Sequence, residues 1–326
     1  MKKPLIVLTG PTAVGKTKLS IALAKAIDAE IISADSMQVY RHMDIGSAKI
    51  RLEEMKGIPH HLIDVLDPWE EFHVQKFQQM AKNAMDDIYS RGHIPLLTGG
   101  TGFYIQSVIY DIDFTAEESC GSLRKELETY AADHGAEALH QKLSEVDPQA
   151  AKEIHPHNVK RVVRALEYYR QTGECISAHN RRERQKESPY ALAYFVLTDK
   201  REKIYEQIDR RVDLMMDDGL LNEVRKLKEM GCRKEMVSMQ GLGYKELLEY
   251  LSGGCSLEEA VFRIKRDTRH FAKRQLTWFK REKHVIWVPK DCFQYEEEKI
   301  LAFMLEEIKK LEGVSCLKNY SGVPSF

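Results

Sequence analysis

Short apolar runs recur along the chain, and most of them are followed by glycine or polar residues and then by apolar residues at helical spacing. Runs of this kind are typical of parallel strands buried on both faces, with helices returning the chain between them. The strands predicted in this way span residues 5–8, 30–34, 60–68, 94–98, 190–197 and 284–288. The pattern predicts an α/β fold in which helices flank a parallel sheet.

Between the fourth and fifth of these runs only helical spacing is found, and Asp-Pro and His-Pro dipeptides divide the region into shorter helices. We therefore predict an inserted all-helical domain at 114–189. The core is predicted to consist of 1–113 and 190–312, and a Ser/Gly/Pro tail at 313–326 is predicted to be flexible. Outside the insert, helices are predicted at 18–27, 73–91, 201–216, 220–230 and 294–311.

The first predicted strand runs directly into G-x-x-x-x-G-K-T, and a helical pattern follows at once. This strand–loop–helix context predicts a P-loop, and with it a P-loop NTPase-like sheet. Two glycines let successive N–H groups turn inward, the lysine adds a charge, and the threonine offers a hydroxyl to Mg²⁺. The stretch predicts a di- or triphosphate site, without saying which molecule binds. Its residues are Gly10, Pro11, Thr12, Ala13, Val14, Gly15, Lys16 and Thr17.

Polar residues also follow the second and fourth predicted strands. Asp35 and Gln38 come after the second strand, and Gly99-Gly-Thr-Gly102 comes after the fourth. Because ligands of parallel sheets bind at the carboxyl ends of strands, we expect these groups at the same crevice as the P-loop. The second glycine-rich turn would offer N–H groups and the Thr101 hydroxyl, unless its glycines serve only the geometry of the turn. For Asp35, a ligand role and a turn cap are equally consistent with its position.

Several classes of protein are disfavoured by the residue types. The six cysteines are scattered without a C-x-x-C pair, so we expect reduced thiols in a cytoplasmic protein. His60 and His61 are adjacent and would point to opposite faces of a strand, with no third ligand at a suitable spacing, so we favour loop anchoring over a metal site. No apolar run approaches transmembrane length, and no membrane association is predicted.

The charge is locally uneven, although the net charge of the 326-residue chain is only −1. From Arg263 to Lys283 nine basic residues stand against two acidic ones, and from Lys160 to Glu187 eight stand against four. In the first of these stretches, Gln275 and Trp278 add side chains that contact bases. Both stretches predict nucleic-acid surfaces. The apolar stripe expected to pack beneath the first consists of Phe262, Ile264, Phe271, Ala272, Leu276 and Phe279.

Six sequence blocks stand in a fixed order between about Leu5 and Val288. They are Gly10-Pro-Thr-Ala-Val-Gly-Lys-Thr17, Asp35-Ser-Met-Gln-Val-Tyr-Arg41, His60-His61, Gly99-Gly-Thr-Gly-Phe-Tyr104, Gln240-Gly-Leu-Gly-Tyr-Lys-Glu246 and Thr268-Arg-His-Phe-Ala-Lys-Arg-Gln-Leu-Thr-Trp-Phe279. Together they resemble the bacterial tRNA dimethylallyltransferases, also called tRNA isopentenyltransferases. The second and sixth blocks are the specific ones, because a P-loop alone occurs in many families.

The resemblance implies transfer of a dimethylallyl group from dimethylallyl diphosphate to the N6 amine of the adenosine just 3′ of the anticodon. The P-loop would then hold the diphosphate that leaves as pyrophosphate, with Mg²⁺ as cofactor and no nucleotide hydrolysed. The partner is the tRNA anticodon stem-loop, and no obligate protein partner is expected.

The resemblance also implies roles for single residues. Asp35 would remove a proton from the amine, and Thr101 would lie near the reacting centre. Lys16, Arg211 and Mg²⁺ held in part by Thr17 would stabilise the leaving group. Residues implied in tRNA binding are Asp35, Ser36, Met37, Gln38, Thr101, Arg124, Val159, Lys160, Arg161, Val162, Val163, Arg269, Lys273, Arg274, Gln275 and Trp278, with Ser36 and Gln38 as readers of the base.

Three alternatives remain open from the sequence. A small-molecule P-loop kinase would use ATP and no RNA, and an adenylate isopentenyltransferase would modify free nucleotide and leave the basic surfaces idle. A non-enzymatic RNA-binding protein would not need the intact Lys16 and Thr17.

Overall fold

The computed structural model describes residues 2–114 and 121–311. They form two compact units. The described part of the first unit comprises 2–109 and 189–311, and that of the second comprises 110–114 and 121–188. The tail predicted at 313–326 lies outside the described residues.

The first unit contains a six-stranded parallel sheet, which confirms the predicted fold class. Its strands are β1 (Pro4–Thr9), β2 (Ala29–Ala34), β3 (His60–His61), β4 (Ile94–Gly99), β5 (Ala191–Thr198) and β6 (Val285–Pro289), in the order β3-β2-β4-β1-β5-β6. The third strand is much shorter than the predicted 60–68. It ends after two residues because Leu62 and Asp64 take positive φ angles of 63° and 55°, which no extended strand allows.

Strand β1 lies between β4 and β5, and its residues Leu5 to Leu8 are 0% exposed. Since both faces of the sheet are covered, an unbroken apolar run is the pattern such a strand requires. In the parallel register, Thr9 of β1 stands beside Gly99 of β4, and Ala34 of β2 stands beside Gly99 on its other side. The segments that follow these three strands are therefore neighbours.

The helices of the described residues follow in chain order. They are α1 (Lys16–Ile27), α2 (Val74–Ser90), α3 (Gly102–Ile109), α4 (Gly121–His134), α5 (Ala136–Val146), α6 (Pro148–Glu153), α7 (Val159–Thr172), α8 (Ile176–Gln185), α9 (Arg201–Asp217), α10 (Leu220–Glu229), α11 (Tyr244–Leu251), α12 (Leu257–Phe279) and α13 (Glu297–Lys309). Short 3₁₀ turns lie at Ser238–Gln240 and Lys290–Phe293. No helix within residues 2–114 and 121–311 combines the length and apolar character needed to cross a bilayer.

The second unit is helical throughout its described residues, and it contains α4 to α8. Its own core includes Leu139, Leu143 and Val162, each 0% exposed. The buried Asp147 caps α6 by accepting from the Ala150 N–H at 3.0 Å. A separate apolar core of this kind is what a folding unit of its own requires.

Candidate active site

A cavity of about 700 Å³ lies in the first unit at the carboxyl ends of β2 and β4, beside the loop that follows β1. Most residues of that loop face it, namely Thr12, Ala13, Gly15, Lys16 and Thr17. The other candidates that line it are Asp35, Ser36, Met37, Gln38, Thr101 and Arg211. Residues from four separate stretches of the sequence are thus brought to one place.

The loop between β1 and α1 has the backbone of a phosphate cradle. Gly10 and Gly15 have φ angles of 149° and 96°, and Ala13 between them has a φ of 64°. A side chain at Gly10 would overlap the carbonyl of Leu197 in β5. Because α1 begins at Lys16, the positive end of the helix lies at the loop. The loop is suited to bind a diphosphate.

Two cations line the cavity, and both are poorly hydrated. Burial and the neighbouring Arg211 lower the pKa of Lys16 to about 7, although Asp35 acts in the opposite direction. Lys16 Nζ donates to the carbonyls of Gly10 at 3.0 Å and Pro11 at 2.9 Å. Burial also lowers the pKa of Arg211, which forms no ion pair within the residues that the structure describes. Two desolvated cations held in this way favour the binding of a polyanion.

Asp35 both caps a turn and lines the cavity, as the two interpretations of its position in the sequence allow. Its Oδ1 accepts from the Met37 N–H at 2.8 Å and from the Gln38 N–H at 3.4 Å, so one oxygen caps the turn after β2. The residue also lines the cavity together with Lys16 and Arg211. The cap orients the carboxylate, and Oδ2 makes no hydrogen bond within the described part of the chain.

The Gln38 side chain is engaged inside the protein. Its Oε1 accepts from Ser33 Oγ at 2.9 Å, and its Nε2 donates to the carbonyls of Ser47 at 3.3 Å and Ala48 at 3.4 Å. Reading an adenine edge, the role predicted for Gln38, requires a free donor and a free acceptor. Both ends of its amide are already bonded within the protein. The geometry favours a positioning role for Gln38.

The glycines of the second turn provide room for neighbouring elements. A side chain at Gly100 would overlap the Gln275 amide, and one at Gly102 would overlap the Trp278 ring. The Thr101 N–H donates to a carbonyl of β2 at 3.3 Å, so one of the N–H groups expected at the crevice is used within the sheet. The polar group that this turn brings to the cavity is Thr101.

Gln275 links the two glycine-rich loops. It is 5% exposed, its Oε1 accepts from the Thr12 N–H at 2.9 Å, and its Nε2 donates to the Gly100 carbonyl at 2.9 Å. Both ends of the amide are thus bonded within the protein. This geometry gives Gln275 a positioning role in place of the base contact that the sequence analysis expects.

Several cations of the basic stretch on α12 have acidic partners from elsewhere in the chain. Arg269 Nη1 lies 2.5 Å from Asp209 Oδ1 on α9, and Lys265 is paired with another aspartate of that helix at 2.6 Å. Lys273 and Arg274 are exposed and form no ion pair within the described residues. Counting charges along the sequence overstated the free positive charge, because it left out partners contributed by other helices.

The predicted apolar stripe of α12 is only partly buried. Ala272 and Phe279 are 1% and 0% exposed, but Phe262 is 60% exposed, and the prediction that it packs beneath the helix is wrong. Trp278 packs on Gly102 and lies edge-on to Phe103, with ring centroids 6.0 Å apart. The buried face of α12 runs along the helix from Ala260 and Ile264 to Phe279, and Phe262 lies outside it.

In the second unit, the residues predicted around the start of α7 divide by exposure. Val162 and Val163 are 0% and 2% exposed and belong to the core of the unit, so their side chains cannot contact RNA. Val159, at the first position of the helix, packs against that core as well. Lys160 and Arg161 are exposed. Only these two present side chains that an RNA phosphate can reach.

Arg124 has a partner inside the second unit. Its Nη2 lies 2.8 Å from Oε2 of Glu167, whose side chain is 0% exposed. Removing the arginine would leave a buried carboxylate short of a partner, which is costly. A structural role accounts for Arg124 without any contact to RNA.

The adjacent histidines anchor loops, as predicted. His61 Nε2 lies 2.7 Å from Oε2 of the buried Glu30, and His60 Nδ1 lies 2.8 Å from the Ile58 carbonyl. Burial lowers the pKa of His60. Within residues 2–114 and 121–311, no group of three or more His, Cys, Asp or Glu side chains is arranged to hold a metal ion.

Sequence reasoning missed Glu223, whose carboxylate binds the backbone of the loop that borders the cavity next to Gln38. A glutamate on an amphipathic helix carries no local signal of such a role. The available signal was the block Gln240–Glu246, to which the sequence analysis assigns no role, and which contributes Tyr244 to the same contact.

Two family models match the chain. One, described as IPP transferase, covers residues 38–282, and the other, described as isopentenyl transferase, covers residues 3–65. The first spans most of the chain, including β4, β5 and the basic helix α12.

Known proteins match over nearly the whole length. The tRNA dimethylallyltransferase of Lachnoclostridium phytofermentans is 59% identical over 310 residues, which are 95% of this chain and 99% of that protein. The solved structure of the full-length tRNA isopentenylpyrophosphate transferase from Bacillus halodurans is 45% identical, with a TM-score of 0.71 and coverage of 94% of this chain and 97% of that one. A eukaryotic dimethylallyltransferase, solved in crystallographic snapshots of its action on tRNA, is 31% identical with a TM-score of 0.82, over 94% of this chain and 80% of that one.

Proposed function

The chain belongs to the tRNA dimethylallyltransferase family, and we propose that it transfers a dimethylallyl group from dimethylallyl diphosphate to a tRNA adenosine. The acceptor is the N6 amine of the adenosine on the 3′ side of the anticodon, and pyrophosphate is released. The observation that carries this proposal is the single cavity lined by a phosphate loop, two desolvated cations and one carboxylate, namely Lys16, Arg211 and Asp35.

Asp35 is the general base of the proposed reaction. The lone pair of an adenine amine is delocalised into the ring, so the amine is a weak nucleophile until a proton is removed. A carboxylate that is already oriented by its own turn can accept that proton as the C–N bond forms. Thr101 follows the neighbouring strand and lines the same cavity, which supports the proposal that its hydroxyl bonds the acceptor base or Asp35 during the reaction.

The other end of the cavity stabilises the leaving group. As the C–O bond to the diphosphate breaks, negative charge gathers on the pyrophosphate. Lys16, Arg211 and the first N–H groups of α1 supply fixed positive charge there, and such preorganised groups are often the largest contribution to catalysis. The energy of the transfer is already present in the substrate, so the loop need not hydrolyse a nucleotide.

Mg²⁺ fits the donors that the site offers. Thr17 lines the cavity with a single hydroxyl, and Mg²⁺ in phosphate sites is usually held by few protein oxygens, by phosphate oxygens and by water. When bound, the ion would neutralise part of the diphosphate charge. We propose that Thr17 holds the ion in this way.

Two exposed pairs of cations are the proposed RNA contacts. Lys273 and Arg274 belong to the first unit, and Lys160 and Arg161 belong to the second. The target base must leave its stack to reach the cavity, at a cost of a few kcal/mol, and phosphate contacts would offset that cost. Ser36 and Met37 line the cavity and remain candidates for contacts with the extruded base.

The cysteine side chains support a cytoplasmic location for the proposed reaction. Cys175, Cys232, Cys255 and Cys292 are free thiols, which supports a reducing cytoplasmic environment. The reaction as proposed needs tRNA and dimethylallyl diphosphate, and it needs no protein partner.

The deciding experiment is incubation with labelled dimethylallyl diphosphate and Mg²⁺, with unmodified tRNA or AMP as acceptor. We expect label in tRNA only, and Asp35→Asn is expected to keep tRNA binding while transfer falls by about 100-fold or more. The substitution retains the oxygen that caps the turn, so the loss reports on proton removal.

Other outcomes would identify the alternatives. Label in AMP and not in tRNA would assign the chain to the isopentenyltransferases that act on free nucleotide. Phosphate transfer from ATP to a small molecule without any prenyl transfer would favour a kinase. Wild-type transfer by Asp35→Asn would leave the reaction in place and remove Asp35 from its role.

A further inference from the structure

Four hydrogen-bond donors converge on the carboxylate of Glu223, which lies on α10. The backbone N–H groups of Asp44 and Ile45 donate to Oε2 at 2.9 Å and 2.7 Å, and the N–H of Gly46 donates to Oε1 at 3.1 Å. The Tyr244 hydroxyl donates to Oε1 at 2.8 Å. This set of donors requires a group with two acceptor oxygens, and only a carboxylate supplies them in this geometry.

Tyr244 completes the contact from the other side. Burial and the nearby Glu223 carboxylate raise the pKa of Tyr244 well above its ordinary value, so its hydroxyl stays protonated and donates. A side chain at Gly46 would come within 2.6 Å of the Tyr244 ring, so the loop backbone lies directly against the ring. The sequence block Gln240–Glu246 thereby gains a role, because it places Tyr244 against residues 44–46.

The loop held in this way continues into the active site. Its next two carbonyls, those of Ser47 and Ala48, accept from the Gln38 amide. The N–H of Gln38 in turn donates to the Asp35 carboxylate, which the Met37 N–H also binds. Glu223 is therefore connected to Asp35 through hydrogen bonds and the chain segments that join them, namely residues 44–48 and Gln38.

Holding α10 in place does not require the carboxylate. Leu220, Val224 and Leu227 are each 0% exposed and already anchor this helix in the core. The Glu223 side chain, at the border of that apolar face, bonds the backbone of residues 44–46, which are distant in the sequence. Its hydrogen bonds thus act on the loop.

We propose that Glu223 is a positioning residue for the transfer reaction, which orients Gln38 and Asp35 by fixing the loop at residues 44–48. The inference rests on the proposed function, since it takes Asp35 as the base. A loop displaced by even 1 Å would misplace the turn that orients the carboxylate, and misplacement of that size lowers turnover strongly.

The test compares Glu223→Gln and Tyr244→Phe with a control, Glu229→Gln, on the same helix. Glu229 is exposed and makes no hydrogen bond through its side chain within the described residues. Glu223→Gln places an amide N–H₂ opposite backbone donors, whereas Tyr244→Phe removes one donor and leaves the carboxylate. The measurements are kcat for transfer, tRNA affinity, thermal unfolding, and hydrogen exchange at the amides of 44–46.

We expect kcat to fall by about tenfold or more in Glu223→Gln and by less in Tyr244→Phe, with tRNA affinity within about twofold of wild type. The amides of residues 44–46 should exchange faster than in wild type in both variants, and at the wild-type rate in Glu229→Gln. A merely structural role would lower the unfolding temperature without this separation of turnover from RNA binding.

Equal turnover in Glu223→Gln and Glu229→Gln would overturn the inference, and so would unchanged exchange at 44–46. If Glu223→Gln does not fold, turnover and hydrogen exchange at 44–46 in Tyr244→Phe test the inference instead. Failure of the proposed function is distinguishable, because wild type itself would then transfer no label to tRNA. The inference would fall with it.

Discussion

The chain contains two glycine-rich turns at adjacent strand ends, and they use glycine for different physical reasons. In the loop after β1, Gly10 and Gly15 have positive φ angles of 149° and 96°, which other residues rarely adopt. In the turn after β4, Gly99, Gly100 and Gly102 have no such angles, and each is required because a side chain would overlap a neighbour. The first turn requires glycine for its backbone conformation, and at Gly10 for space against Leu197 as well, whereas the second requires it for space alone.

The difference separates two meanings of one sequence pattern. A strand, a cluster of glycines and a helix describe both turns equally well. Only the first, however, combines positive φ angles with a buried lysine, which forms no ion pair within the described residues. Glycine content alone therefore does not identify a phosphate site, and the predictions below separate the conformational role from the packing role.

The largest effect is expected for Lys16→Met. The variant keeps the length of the side chain and removes the charge that faces the leaving group, so transfer should fall by about 10²–10³-fold. Stability should not fall, because the replaced charge is buried and costly. Single-turnover transfer and thermal unfolding measure the two effects, and a loss of stability comparable to the loss of activity would contradict the expectation.

Gly99→Ala should act on stability. The added methyl group would overlap the backbone of Ala34 in β2, which cannot move without disturbing the sheet, so we expect a loss of about 2–3 kcal/mol. Gly92→Ala provides the comparison, because its φ of 80° strains an added side chain while no atom lies within 4 Å of it, so its loss of about 1 kcal/mol reports on backbone conformation alone. Denaturant unfolding of both variants measures the difference, and equal losses would show that space is not the reason for glycine at position 99.

Pyrophosphate binding should depend on pH through Lys16. Its pKa of about 7 without ligand means that the amine is largely neutral above pH 7, and a bound diphosphate favours the charged form. Binding above pH 7 should therefore take up a proton, and affinity should fall by up to about tenfold per pH unit, or about 1.4 kcal/mol. Calorimetry at pH 8 in two buffers measures the uptake.

Lys16→Met serves as the control for this pH dependence, because the titration of pyrophosphate itself is common to both proteins. The variant should take up fewer protons on binding pyrophosphate, and the difference from wild type is the contribution of Lys16. Identical uptake in the two proteins would show that the amine is already charged at pH 8.

A double-mutant cycle between Gly100 and Gln275 should show the smallest effect. Gly100→Ala forces the Gln275 side chain out of its position, whereas in a Gln275→Ala background the nearest atom that the methyl group meets is the Gly10 carbonyl oxygen at 3.8 Å, an ordinary contact. The two substitutions should therefore couple by about 0.5–1 kcal/mol in unfolding free energy. Additive losses in the cycle would show that the glycine does not serve the glutamine.

The sheet and the phosphate loop could be predicted because their signals are local. An apolar run of the right length and a G-x-x-x-x-G-K-T loop are complete within a few residues of sequence. The position of Asp35 followed from a topological rule about strand ends. None of these predictions required knowledge of distant partners.

The remaining features depend on contacts between distant residues. Gln275 lies 263 positions from Thr12, whose N–H donates to its side chain. A glutamine side chain is equally suited to contact a base, so the residue type does not reveal this role. Arg269 appeared free because its partner Asp209 lies on another helix. Phe262 has the helical spacing of a core residue and is nevertheless 60% exposed, and helical spacing alone does not tell which face of a helix is covered by other elements.

The position of Gln275 on α12 limits how this enzyme can be altered. Lys273 and Arg274, which are exposed, directly precede the side chain that supports Thr12 and Gly100, and Arg274 also lines the cavity. The surface proposed to contact RNA and the phosphate loop are therefore linked through one helix. Replacing the whole of α12 would also replace the support of the phosphate loop, so substitutions that test the proposed RNA contacts are restricted to the exposed positions of the helix.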